Sequence, residues 1–186
     1  ISWQEYLSNP LLLGDDAANM RPQIGNIYKN YALRCFKSGA MDFDDLLFNT
    51  DKLFKDHLEV LNKYQHKIHY VLVDEFQDTN LCQYYIIRKL AAVRQNICVV
   101  GDDAQSIYAF RGADISNILN FEKDYPELKI IKLEQNYRST QTIVEAANSV
   151  IAKNKAQIPK QVWTANENGM PIDLIKAVSD NEEGKL

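Results

Sequence analysis

Long apolar runs, paired cysteines, a net basic charge and a phosphate-cradling glycine loop are all missing from this chain of 186 residues. No apolar run approaches the roughly 18 residues of a membrane-crossing helix, and no leader-like charged and apolar segment opens the chain. The three cysteines, Cys35, Cys82 and Cys98, are far apart and have no metal-ligand spacing. Each sits in apolar sequence, which predicts buried free thiols in a reducing compartment rather than disulfides. His57, His66 and His69 share no ligand spacing with a carboxylate or cysteine and read as solvated or structural. A net charge of −4 argues against a module that grips nucleic acid by charge alone, since such modules are normally basic. It leaves room for a site built from stacking and a few Arg or Lys. No Gly-x-x-x-x-Gly-Lys-[Ser/Thr] loop occurs, and the closing Gly184-Lys185-Leu186 lacks the upstream Gly and the hydroxyl. The chain starts Ile1-Ser2-Trp3 without a Met, and the expectation is an internal piece of something longer. There is no internal repeat.

What is present gathers around His69-Tyr70-Val71-Leu72-Val73-Asp74-Glu75-Phe76-Gln77-Asp78-Thr79. Tyr70 to Val73 is a short β-rich apolar run, which predicts a strand buried on both faces. It ends in two acids, at the carboxyl edge where open α/β sheets place their ligands. One carboxylate can hold a hard cation such as Mg²⁺, and the other can deprotonate a water. The same acids could instead form a turn, with Asp78 or Thr79 as N-cap of the next helix.

Upstream, residues 1–15 read as a short helical or irregular piece broken by Pro10 and Gly14. Met20, Ile24, Ile27, Tyr28, Tyr31 and Cys35 mark one helix face, stopped near Gly39. Asp42 with Asp45 resembles a capping box opening a further helix, with a break near Asp56-His57. Downstream, Thr79 to Val93 reads as a largely buried helix, and Asn96 to Val100 as a second strand ending in Gly101-Asp102-Asp103. Strand, helix, strand is a βαβ unit and predicts a parallel sheet. Ile115 to Asp124 reads as helical, and Lys129 to Leu133 as a third strand ending at Glu134-Gln135-Asn136-Tyr137-Arg138. Ser139 reads as the cap of a helix with Ile143, Ala147, Val150 and Ile151 on its face. Residues 154–171 read as a connection, Ile172 to Val178 as a last strand, and the tail after Ser179 as loose.

Three strands tipped with polar clusters would bring carboxylates, the Gln105 amide and Arg138 to one sheet edge, the parts that phosphoryl transfer needs. The wording of these clusters is specific. Val73-Asp74-Glu75-Phe76-Gln77-Asp78-Thr79-Asn80 resembles the Walker B segment of UvrD/PcrA/Rep-type superfamily 1 DNA helicases. Val100-Gly101-Asp102-Asp103-Ala104-Gln105-Ser106-Ile107-Tyr108-Ala109-Phe110-Arg111-Gly112-Ala113 looks like that family's next motif. Leu133-Glu134-Gln135-Asn136-Tyr137-Arg138-Ser139-Thr140 looks like the one after, and Met41-Asp42-Phe43-Asp44-Asp45-Leu46-Leu47 matches a segment just upstream. The resemblance covers about residues 20–165.

It implies an incomplete RecA-like P-loop NTPase motor, an α/β fold with a partial parallel sheet flanked by helices. Residues 1–40 would end a helical inserted subdomain, 41–132 would form the second half of the first motor domain, and 133–186 would start the second. The parent would be a cytoplasmic ATP-dependent 3′-to-5′ helicase with ATP and Mg²⁺ as cofactors, acting on single-stranded DNA and DNA junctions, with no membrane partner. By the resemblance, Asp74 binds Mg²⁺ and Glu75 activates the attacking water. Gln105 contacts the γ-phosphate, Arg138 reaches it from the second motor domain, and Tyr137 stacks on adenine. Tyr108, Phe110 and Arg111 face single-stranded DNA, where stacking tolerates any base sequence. Each position has a second reading: Glu75 as an exposed turn residue, Gln105 as a helix cap, Phe110 as core, Tyr137 as packed under its helix. The chain departs from the family in having Phe110 where Trp is frequent and Ala109 where a basic residue is frequent. Asp103-Ala104 also differ from the commoner residues there. The phosphate loop and the family's later motifs are missing, so the piece alone is expected to be inactive. The rivals are the helicase part of a helicase–nuclease, or a non-catalytic remnant that keeps the fold.

Overall fold

The computed structural model describes residues 1–155 and 157–185. Two short helices open the chain, α1 (Trp3–Leu7) and α2 (Pro10–Ala18). Pro10 does not break a helix. It stands at the first helical position, where its missing N–H costs nothing, and Gly14 lies inside α2. Helix α3 (Ile24–Lys37) ends at Gly39, whose φ of +61° suits a residue without Cβ. It starts later than the periodicity suggests, leaving Met20 exposed. Asp42 and Asp45 form the expected reciprocal capping box for α4 (Phe43–Asp56). His57 then interrupts the helix before α5 (Leu58–Lys67).

Strand β1 (Val71–Val73) and strand β2 (Ile97–Val99) pair in parallel, joined by α6 (Leu81–Ala91), so the βαβ unit forms as read. Val73 O accepts from Val100 N–H at 2.8 Å, and Val100 O from Phe76 N–H at 2.9 Å. These bonds carry the pairing past the strands into the acidic turns. The N-cap of α6 is Asn80, which exchanges hydrogen bonds with Gln83, so neither Asp78 nor Thr79 caps it. The core is Phe76, Tyr84 and Phe121, packed against Val73, Ile97, Val99 and Ile118. All of these lie on one face of the sheet. The other face carries Leu72, 77% exposed, and Cys98, also exposed, so β1 is not buried on both faces; none of the three cysteines is a buried thiol, since Cys35 and Cys82 are only half-buried. No described helix covers that side. Nor is α6 buried all round, since Leu81 and Tyr85 are exposed.

Beyond β2 come α7 (Ser116–Leu119) and α8 (Phe121–Asp124), one predicted helix split at Asn120. The segment 129–133 is not a strand: residues 159–163 run beside its end but make only the single bridge Gln135–Trp163, and Ile130, Ile131 and Leu133 are exposed. Residues 172–178 likewise form no strand. Helix α9 (Gln141–Ile151) is preceded by Thr140, not Ser139, at the cap. Its buried side runs through Val144, Asn148 and Ile151 rather than through Ile143, Ala147 and Val150, which are exposed. The tail after Ser179 is not wholly irregular, since it forms α10 (Asp180–Glu183) with Ser179 as N-cap. No described helix is long and apolar enough to cross a membrane.

Candidate active site and nucleic-acid interface

Strand β1 ends because the chain turns sharply at Glu75, a non-glycine residue with φ of +49°. That left-handed conformation costs about 1–2 kcal/mol. Its neighbours hold it there. Glu75 N–H donates to Asp74 Oδ1 at 2.9 Å. The next residue, Phe76, is fully buried, with its ring edge-on to Phe121 at 5.2 Å. Burying a Phe contributes about 1.5–3 kcal/mol, enough to offset the strain. The turn therefore presents both carboxylates outward, since Asp74 and Glu75 are exposed while Phe76 anchors them.

Gln77, only 1% exposed, joins the two acidic turns. Its Nε2–H donates to Glu75 Oε2 at 2.8 Å, and its Oε1 accepts from Asp102 N–H at 3.0 Å. Asp102 caps the turn Asp103–Gln105 through Ala104 N–H and accepts from Gln105 Nε2 at 2.8 Å. Gln105 is thus held by the cap and is not itself one. Sequence reading gave Gln77 no role; its place inside the acidic motif was the only signal.

A cavity of about 360 Å³ opens beside the β1 turn, floored by Leu47, Val73 and Ile87 and edged by Asp74, Glu75 and Asp78. Asp78 Oδ1 is buried there without a hydrogen-bond partner. Acceptors therefore outnumber donors, which fits a cation and the hard-oxygen preference of Mg²⁺. Among the described residues no three His, Cys, Asp or Glu converge as a complete metal cage. Mg²⁺ does not require one, because it commonly takes one or two carboxylates and completes its shell with phosphates and waters.

The second turn runs on into Ala109–Arg111, closed by Gly112 at φ of +85°. Phe110 is 78% exposed, so it is not core. Tyr108 lies 6.0 Å from it, tilted by 36°, and the Arg111 guanidinium sits 5.3 Å and 5.4 Å from the two ring centroids. Two aromatic faces and one cation thus stand together at the surface. The loop is tied to the segment between the β1 turn and α6: Ala113 bridges Asn80, and Asp114 N–H and Asn117 Nδ2 both donate to Thr79 O at 3.0 Å.

The third cluster is built differently from the expectation. Gln135 bridges Trp163, and Asn136 Oδ1 accepts from the N–H groups of Arg138 and Ser139 at 2.8 Å each. Tyr137 is 78% exposed and donates its hydroxyl to Gln135, so it does not pack under α9. Arg138 is exposed, and among the described residues no hydrogen bond or ion pair links it to Asp74, Glu75 or Gln105. What reaches the β2 turn is Lys160, whose ammonium pairs with Asp102 and, at 2.7 Å, with buried Asp103. Ile158 N–H also donates to Asp103 Oδ2 at 3.0 Å. The segment read as a plain connection is thereby docked on the site, a contact that no local pattern announces.

Burial works against both charges, but pairing outweighs it. Hydrogen bonds from Lys160 and Gln105 hold Asp102 below the usual carboxylate range, and the two aspartates hold Lys160 above the usual lysine range. The Asp102 contribution is complete above an unfolded pKa of about 3.9 and is lost as pH falls through its lower folded value. The Lys160 contribution is complete below an unfolded pKa of about 10.4 and is lost as pH rises through its higher folded value. Lys160→Met is expected to lower stability by about 1–3 kcal/mol, because buried Asp103 loses its charged donor. The difference from wild type, read by thermal melts, should be flat between about pH 5 and 9 and shrink below about pH 4. Equal melts at pH 7 would contradict the docking.

The UvrD/REP helicase N-terminal domain matches residues 2–126, and the UvrD-like helicase C-terminal domain matches residues 131–186. The first alone covers more than half of the chain, which therefore belongs to the UvrD/REP helicase family. Among individual proteins it is similar to the ATP-dependent DNA helicase PcrA of Staphylococcus aureus, 51% identical over 163 residues, 88% of this chain and 22% of that protein. The PcrA helicase of Bacillus subtilis is 51% identical over 162 residues, and that of Staphylococcus epidermidis 49% over 162. The chain spans 22% of the length of these curated relatives.

Proposed function

We propose that this chain is part of the motor of a cytoplasmic ATP-dependent DNA helicase that moves 3′ to 5′ on single-stranded DNA and unwinds duplexes at junctions. Residues 1–40 belong to a helical insert, 41–132 to a first RecA-like domain and 133–186 to the start of a second. One observation carries this reading. The exposed Asp74–Glu75 pair and the exposed Tyr108–Phe110–Arg111 cluster sit on two turns joined through Gln77 and Asp102.

ATP with Mg²⁺, when bound, supplies the phosphoanhydride bond and the charge neutralisation of phosphoryl transfer. Asp74 offers a carboxylate to the metal. Glu75 takes the proton of the attacking water. Gln105 would contact the γ-phosphate, and Arg138 would reach it from the second domain. Tyr137 offers an exposed ring to the adenine. Tyr108 and Phe110 stack on bases and Arg111 pairs with the DNA backbone.

The 186 residues include no phosphate-binding Gly-Lys loop. The isolated chain is expected to hydrolyse no ATP, with or without single-stranded DNA, in a phosphate-release assay. DNA-stimulated release above that of a Glu75→Gln control would overturn this assignment.

A further inference from the structure

We propose that Gln77 is a positioning residue that sets the orientation of the Glu75 carboxylate according to the position of the loop carrying Gln105 and the aromatic cluster. This inference rests on the reading of Glu75 as the base.

A buried glutamine could simply satisfy its own polar atoms. Here the two ends of one amide serve two different functional turns. The donor end holds the carboxylate of an exposed residue, and the acceptor end holds the backbone of Asp102. The residue's main chain is tied to the same loop, since Ser106 Oγ donates to Gln77 O at 3.3 Å. An unbroken chain of contacts therefore runs from Glu75 Oε2 through the Gln77 amide to Asp102 N–H, and from Asp102 Oδ2 to the Gln105 amide. Gly101 makes the approach possible, because a Cβ there would lie 2.6 Å from Gln77 Oε1. A shift of the loop that keeps the 3.0 Å bond from Asp102 N–H moves that oxygen, and the planar amide carries the shift to Nε2. A base displaced on that scale loses its alignment with the water. A ligand held on the aromatic cluster thus has a short mechanical route to the base.

The test uses the full-length helicase containing this segment, with ATP turnover measured with and without saturating poly-dT. Gln77→Glu keeps the acceptor for Asp102 but loses the donor to Glu75; Gln77→Met loses both. Both variants should lower the DNA-stimulated kcat by about tenfold to a hundredfold. The KM for ATP should stay within about twofold, and the ratio of DNA-stimulated to basal kcat should fall. If neither variant folds by circular dichroism, Gly101→Ala displaces the same amide from the loop side and carries the test. An unchanged ratio of stimulated to basal kcat in a folded variant overturns the proposal, because a merely structural glutamine would change melting and not that ratio. A Glu75→Gln control separates the two failures. If it retains turnover, the assignment of the base is wrong. If it loses turnover while the Gln77 variants keep full stimulation, only the coupling role is wrong.

Discussion

Glu75→Gln in the full-length helicase is expected to leave ATP binding intact and lower turnover by about two orders of magnitude or more, the scale of a lost general base. The substitution is nearly isosteric, and its amide oxygen can still accept from Gln77 Nε2, as the Glu75 carboxylate does at 2.8 Å. The left-handed turn is unaffected, since it is fixed by Phe76 burial and by the Asp74 and Val100 hydrogen bonds. Stability should therefore change by no more than about 0.5 kcal/mol, as for other surface replacements. Only the ability to take a proton is removed. Equilibrium binding of a fluorescent ATP analogue, a thermal melt and steady-state phosphate release together make the check. Lost stability with retained turnover would mean that Glu75 is a turn residue and no more.

Phe110→Ala should weaken single-stranded DNA binding by about 1–3 kcal/mol, the contribution of one stacked base. Basal ATP turnover and the melting temperature should hardly move, because the ring is 78% exposed and touches mainly Tyr108 and Arg111. Phe110→Trp should hold or strengthen DNA binding, since a larger face stacks over more area. A core phenylalanine would behave in the opposite way, losing about 3–5 kcal/mol of stability on truncation. A melt beside a fluorescence titration with oligo-dT distinguishes them. A large fall in melting temperature with unaltered DNA affinity would end the stacking assignment.

The parts of the fold that were legible in the sequence are those whose causes are local. The Asp42–Asp45 capping box, the break at His57 and the βαβ order each depend on residues a few positions apart. Pro10 was misleading because proline breaks a helix interior but suits the first turn, and spacing alone did not say which. The failures at 129–133 and 172–178 have another cause. A strand exists only with a partner ladder, and the apolar run reports β-propensity without supplying the partner. The exposed face of Leu72 and Cys98 follows the same logic, since an apolar run reports what could be buried, not what covers it. In the site, the acids and the aromatic cluster were legible by wording. The links through Gln77, and Lys160 on Asp102 and Asp103, join residues 25, 58 and 57 apart and leave no local pattern.

In the proposed motor, the acid-tipped β1 turn drives directional movement along DNA. The most direct measurement is unwinding by the full-length helicase of two matched duplexes, one with a 3′ and one with a 5′ single-stranded tail, with wild type and Glu75→Gln side by side. ATP-dependent strand separation is expected from the 3′-tailed duplex only, and none with Glu75→Gln. Unwinding from the 5′ tail, or unwinding that survives Glu75→Gln, would contradict it.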